Sequence, residues 1–322
     1  MRVHGGDPGE AMALHGGAPE DWLDLSTGIN PVPYPLPEVP ARAWAALPAE
    51  REIAALERAA RAAYGTAAPA VALAGAQAAI QIVPRLGTGA ARVLGPTYEE
   101  HAGALVDAGW QVTQVTEPDA LAGADLAVVV NPNNPDGRRH APDDLLALAS
   151  RVGLLVVDES FADAEPALSL APLLGAGAER VLVLRSFGKF YGLAGLRLGF
   201  VLAGEGLAGA VRAMAGPWRI SGPAVAVGRA ALADTVWQEN ARARLARDAA
   251  RLDALAAGAR WRPVGGTPLF RTYETGEARA AQERLARARI WTRAFPYAAG
   301  WLRLGLPGTE DGWARLACAL GN

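Results

Sequence analysis

The sequence predicts an α/β protein: a mostly parallel, seven-stranded sheet covered by helices, followed by a small C-terminal α+β domain. Three observations carry this expectation. Seven short aliphatic runs alternate with helical stretches through the first two thirds of the chain, the pattern of strands buried on both faces. A helical pattern then runs from Ala224 to Ala257, broken only weakly. The last third returns to three further apolar runs.

In chain order, residues 1–40 are rich in Gly and Pro, from His4-Gly5-Gly6 to Asn30-Pro31-Val32-Pro33-Tyr34-Pro35. They read as an extended arm of the kind that covers a site or a partner subunit. From Pro48 to Tyr64, the residues Ile53, Leu56, Ala60 and Ala63 recur at helical spacing, and Gly65 supplies a stop. The strand runs are Val71–Ala74, Arg92–Leu94, Val112–Val115, Leu126–Val130, Leu154–Val157, Val181–Leu184 and Leu198–Leu202. With that helix they make a large domain, 41–220. Residues 221–322, with the long helix and the runs Leu269–Tyr273, Ile290–Ala294 and Trp301–Leu306, make the small one.

Composition narrows the function. Net charge is −2 and no basic stripe carries interleaved aromatics, so no nucleic-acid footprint is readable and the partners expected are small molecules. Cys318 is alone, and His4, His15, His101 and His140 are too scattered for metal-ligand spacing, so neither an internal disulfide nor a metal site is expected. No apolar stretch of about 18 residues and no leader at Met1 are present, which leaves a cytoplasmic protein as the expectation. His101 and His140 read as ordinary surface groups, Arg242-Ala243-Arg244 as a solvated helix face, and most tryptophans as core or interface.

The 31 basic residues divide into 30 arginines and a single lysine, Lys189. Codon bias explains the arginines, because either cation serves on a surface. It does not explain the exception: a lysine amine can act as a nucleophile and form a Schiff base, and a guanidinium cannot.

Ligands of open parallel sheets bind beyond the carboxyl ends of the strands, so those ends are the places to read. After Val71–Ala74, Gly75-Ala76-Gln77 opens a helix whose backbone N–H groups suit a phosphate. After Leu126–Val130, Asn131-Pro132-Asn133-Asn134-Pro135 is a rigid turn in which Asn134 offers an amide donor; a plain turn is the alternative. After Leu154–Val157, Asp158 ends an apolar strand where a carboxylate needs a partner, unless it merely caps the next helix. After Val181–Leu184 come Ser186 and Lys189, with Arg197 eight residues further on. A serine and an arginine for a phosphate, an acid for a pyridine nitrogen, an amide for a phenolic oxygen and a lysine for an aldehyde together describe pyridoxal phosphate (PLP).

On these motifs the chain resembles the fold-type I, aspartate-aminotransferase-like PLP enzymes over nearly its whole length. The resemblance implies that Lys189 joins the cofactor aldehyde and that Asp158 pairs with the ring nitrogen. It implies that Asn134 bonds the ring hydroxyl, that Tyr98 of Pro96-Thr97-Tyr98 stacks on the ring, and that Ala76, Gln77, Ser186 and Arg197 hold the phosphate.

Within that fold the chain looks like the histidinol-phosphate aminotransferase branch, and most like the threonine-phosphate decarboxylases of cobalamin biosynthesis. His4-Gly5-Gly6, the segment Asp24-Leu25-Ser26-Thr27-Gly28-Ile29-Asn30-Pro31, Pro217-Trp218 and Phe161 carry this finer likeness. It implies a homodimeric lyase that decarboxylates O-phospho-L-threonine, with substrate contacts at His4, Gly5, Gly28, Asn134, Arg293 and Arg303. An aminotransferase of the histidinol-phosphate type and a non-catalytic PLP-fold subunit are the alternatives. Three departures stand out. Gly28 replaces a family asparagine, the tyrosine lent to a neighbouring subunit's cofactor is absent near Leu47-Pro48, and Phe161 stands where many aminotransferases place a tyrosine.

Overall fold

The computed structural model describes residues 5–175 and 179–321. Its main sheet has seven strands: β1 (Ala70–Leu73), β2 (Ala90–Leu94), β3 (Gln111–Val115), β4 (Leu126–Val130), β5 (Leu154–Asp158), β6 (Val181–Ser186) and β7 (Gly199–Ala203). Their order is β1-β7-β6-β5-β4-β2-β3. The neighbours from β6 through to β3 pair in parallel, and β7 runs antiparallel to both β1 and β6. The mostly parallel seven-stranded sheet is therefore present, and each aliphatic run found its strand.

The reason is burial. Every residue of β1, β4 and β7 is buried, whereas β3, at an edge, carries Gln and Thr and is half exposed. Val71, Leu73, Val93, Leu126, Val128, Val156, Leu182, Leu184 and Val201 pack into one cluster with Ala79, Ile80 and Leu105 from the covering helices and with Trp110, which precedes β3. Each such Val or Leu removed from water contributes on the order of 2 kcal/mol.

The predicted helix before β1 spans Glu50–Ala63 and buries Ile53, Leu56 and Ala60. It starts at Glu50 because the Glu52 carboxylate accepts the Ala49 N–H at 2.7 Å. The long helical pattern resolves into Gly222–Ala233 and Thr235–Gly258. Asp234 separates them, its carboxylate accepting the Trp237 N–H at 2.9 Å.

The chain forms two compact units. One holds residues 34–134 and 139–238; the other holds the described residues up to Pro33, residues 135–138, and the chain from Glu239 onward. These limits differ from the expected 40 and 220. Helix Gly222–Ala233 packs on helix Glu50–Ala63 and stays with the large sheet. The start of the chain is also more than an extended arm. It forms a helix at Gly9–His15, and Leu23–Asp24 pairs in parallel with Ile290–Trp291. Ala11 and Trp22 are buried together with Ala286, which is what an arm without apolar anchors could not do.

That second unit contains a four-stranded antiparallel sheet in the order Arg293–Phe295, Ala298–Gly305, Phe270–Glu274, Arg262–Thr267, with helices Ala278–Arg287 and Glu310–Leu320. The strand Arg262–Thr267 had no apolar run to announce it. Among the described residues there is no cluster of His, Cys, Asp and Glu fit for a metal ion, and no helix is long and apolar enough to cross a membrane.

Candidate active site

The parallel ladder sets the ends of β4, β5 and β6 side by side: Val130 pairs with Asp158, and Asp158 with Leu184. Asn131–Asn134, Asp158 and Ser186 therefore emerge along one edge of the large sheet. Asp158 is 3% exposed. Its Oδ1 accepts the Ser160 N–H at 2.9 Å and the Ser160 hydroxyl at 2.5 Å, and its Oδ2 lies 2.8 Å from His101 Nε2. Burial pushes this carboxyl up, but the His101 contact and the Ser160 bonds outweigh it and leave it below its ordinary value. Asp158 is thus no helix cap; it is a sealed, ionised acid.

His101 was not legible as part of this arrangement. It is 3% exposed, on the buried face of helix Glu99–Asp107, and does not lie on the surface. The signal was its spacing of three from Tyr98, which puts both over one helix face. The rings meet edge to face, 6.2 Å apart. The Tyr98 hydroxyl donates to Gln77 Oε1 at 3.4 Å, and the Gln77 amide donates to Glu100 Oε2 at 2.9 Å. Gln77, Tyr98, His101 and Asp158 form a continuous line of contacts. The expected solvated face at Arg242 and Arg244 is half-buried, and Arg244 donates to Asn30 Oδ1 at 2.6 Å.

In the Asn-rich turn, Asn131 bonds the His140 and Leu168 carbonyls, and Asn133 bonds the Pro96 carbonyl and the Thr97 hydroxyl. These two amides build the turn that carries the half-buried Asn134.

Ser186 closes β6, and a single helical turn, Phe187–Phe190, presents Lys189. Lys189 is half-buried between the sealed Phe187, Gly188 and Phe190, and its Nζ lies 5.8 Å from the centre of the buried Phe161 ring. Arg197 adopts a left-handed conformation, φ 55°, and is exposed. Gly75 also has positive φ, 83°, and a side chain there would stand 3.0 Å from Arg197 Nη2. A Cβ on Gly199 would stand 2.6 Å from the Ala76 amide nitrogen. Two glycines thus bring the arginine to the helix start at Ala76 and Gln77. These residues fit PLP: a cradle that side chains would fill for its phosphate, a sealed acid, and the chain's only lysine.

The second unit holds another cationic feature. Arg293 and Arg303 are directly opposed on antiparallel strands, which sets two cationic residues on one face of the sheet. Arg303 is buried; its Nη2 donates to the Ser26 carbonyl at 2.6 Å, and its guanidinium lies 5.2 Å from the Phe270 ring centre. Gly28 is buried, and Gly5 rests so closely on the Ser26 carbonyl that no side chain would fit. His4 lies outside the described residues.

Fold and site define a fold-type I, PLP-dependent enzyme. The chain belongs to the aminotransferase class I and II family, whose model matches residues 42–320. It is 47% identical to a threonine-phosphate decarboxylase of Sinorhizobium sp over 99% of this chain and 97% of that one. It is 44% identical, with the same coverage, to a threonine-phosphate decarboxylase of Pseudomonas aeruginosa. Its fold matches the histidinol-phosphate aminotransferase of Sinorhizobium meliloti, solved in complex with pyridoxal-5'-phosphate, at a TM-score of 0.81 and 23% identity over 99% of this chain and 94% of that one.

Proposed function

We propose that this chain is a PLP-dependent threonine-phosphate decarboxylase. It takes O-phospho-L-threonine, releases CO2 and leaves 1-amino-2-propanol phosphate for cobalamin biosynthesis. The full-length sequence likeness to two threonine-phosphate decarboxylases carries this reading; the sequence likeness to the histidinol-phosphate aminotransferase of Cronobacter sakazakii, at 34% identity, covers only 48% of the chain.

The cofactor, when bound, supplies the electron sink for the pair left by the broken bond between Cα and the carboxylate. The residues of the chain supply the rest. Lys189 would hold the cofactor at its aldehyde and would be the acid that hands a proton to Cα. Asp158, ionised by its surroundings, keeps the ring nitrogen protonated. Asn134 and Tyr98 would hold the ring, and Ala76, Gln77, Ser186 and Arg197 would take the phosphate.

Arg293 and Arg303 would hold the carboxylate and phosphate of the substrate; His4, Gly5, Gly28 and Asn134 are the other substrate contacts that the resemblance implies. An arginine that fixes the substrate carboxylate would favour decarboxylation over transamination. The enzyme works in the cytoplasm as a homodimer; Trp44 and Trp218, 71% and 58% exposed, are among the apolar side chains open to a second copy.

The test is the purified protein with O-phospho-L-threonine, with and without 2-oxoglutarate, following CO2 and amine. Release of CO2 without a keto acid is expected. Keto-acid-dependent turnover of histidinol phosphate would overturn the reading in favour of an aminotransferase. Lack of any lysine-linked cofactor absorbance would favour a non-catalytic subunit.

A further inference from the structure

On the other side of the strand ends that carry Asp158 and Ser186 lies a sealed cluster of charges. Side chains alternate along a strand, so Arg185 points away from the side to which Ser186 points. Glu159 continues the ladder beyond β5, its N–H donating to the Leu184 carbonyl at 2.9 Å, and so opposes Asp158 in the same way. Arg185 and Glu159 therefore meet: Arg185 Nη1 donates to Glu159 Oε2 at 2.7 Å, and Nη2 to Asp163 Oδ1 at 2.8 Å. The guanidinium lies 4.2 Å from the centre of the Tyr64 ring. Glu159 also accepts the Ser169 hydroxyl at 2.5 Å and the Leu170 N–H at 2.6 Å. Arg185, Glu159 and Asp163 are 3%, 0% and 4% exposed.

A buried ion cluster of this kind is no efficient way to gain stability, since desolvation offsets most of the attraction, whereas it does impose geometry. Here the geometry has an evident use. Glu159 sits between Asp158 and Ser160, whose N–H and hydroxyl hold Asp158 Oδ1. Arg185 sits directly before Ser186 and the one-turn helix of Lys189. A fork shared between Glu159 and Asp163 thus holds the acid-bearing end of β5 against the lysine-bearing end of β6.

We infer that Arg185, with Glu159 and Ser169, is a positioning device that sets Asp158 and Lys189 relative to each other for the cofactor. This rests on the reading that Asp158 and Lys189 serve PLP. Neither Arg185 nor Glu159 touches the reacting atoms; both act through the backbone of their neighbours.

The test compares wild-type holoenzyme with Arg185→Lys, Glu159→Gln and Ser169→Ala by three readouts. These are thermal unfolding, the rate of cofactor loss after dilution, and the pH midpoint of the lysine-linked cofactor absorbance. Arg185→Lys and Glu159→Gln are expected to lose cofactor about tenfold faster, the factor one hydrogen bond to a charged group supplies, and to move the midpoint. Ser169→Ala leaves the ion pair intact and is expected to quicken cofactor loss about two- to threefold. If the first two variants do not fold, Ser169→Ala decides. Lowered unfolding temperatures with wild-type cofactor loss and an unmoved midpoint would reduce the cluster to a structural one and overturn the inference. Lys189→Ala separates the two readings: if borohydride reduction still fixed cofactor to that variant, the cofactor assignment itself would fail, whatever the Arg185 variants did.

Discussion

His101 Nε2 stands 2.8 Å from Asp158 Oδ2, and the two side chains are 2% and 4% exposed. A buried carboxylate is costly unless it is paired, and this contact, with the two bonds from Ser160, holds the Asp158 carboxyl below its ordinary value. The helix behind Tyr98 is thereby tied to the end of β5.

His101→Phe removes that partner. The Asp158 carboxyl is expected to rise, and kcat/KM to fall by about one to two orders of magnitude, as for an unpaired buried charge. The sign of the pH effect follows. A carboxyl whose folded value lies below its unfolded one contributes stability that is complete above the unfolded value, about 4, and is lost as pH falls through the folded one. Urea unfolding of cofactor-free protein from pH 7 down to pH 3 should therefore show a shallower acid loss in His101→Phe than in wild type. Parallel pH curves would count against the pair.

Phe161 has no hydroxyl to donate to the ring oxygen, which leaves Asn134 as the expected donor. Phe161→Tyr adds a donor to the ionised oxygen and should lower the pH midpoint of the lysine-linked absorbance by on the order of one unit. An absorbance titration reads this directly, and an unchanged midpoint would show that the position does not face the cofactor.

Gly75→Ala tests the phosphate cradle. At φ 83° any side chain is strained, and its Cβ would crowd Arg197 Nη2. Cofactor affinity should fall about tenfold or more by equilibrium titration, with far-UV circular dichroism unchanged. Wild-type affinity would move the phosphate away from Arg197.

The opposed pair Arg293 and Arg303 offers a test of the anion site. The variant that reads it is Arg293→Thr, which removes one of the two cations. Inorganic phosphate should stabilise wild type more than the variant, and KM for O-phospho-L-threonine should rise in the variant while the cofactor absorbance stays as it was. Equal phosphate effects would remove Arg293 from the anion site.

Much of the fold was legible because its signal is local. Leu126–Val130 reads as a strand from five aliphatic residues, and it is a strand because both its faces are buried. Arg262–Thr267 escaped notice because its residues are Arg, Pro, Val, Gly, Gly and Thr, which only pairing with Phe270–Glu274 makes a strand. His101 reads as any polar residue on a helix until the partner 57 residues away is known. The start of the chain reads as an arm from its Gly and Pro content, and only Ile290–Trp291, far along the chain, gives Leu23–Asp24 something to pair with.

By itself the sequence determined the strand ends, the rigid Asn-rich turn and the one side chain able to form an imine, since these depend on residue type and short spacing. Which groups meet was decided by tertiary structure. The order β1-β7-β6-β5-β4-β2-β3 places β7 between β1 and β6, and that insertion brings Arg197 to Gly75 and Ala76. The pairing of β5 with β6 likewise joins Arg185 to Glu159 on one side of the sheet while Asp158 and Ser186 share the other. Long-range pairing is set by the burial of whole faces, which no local spacing records.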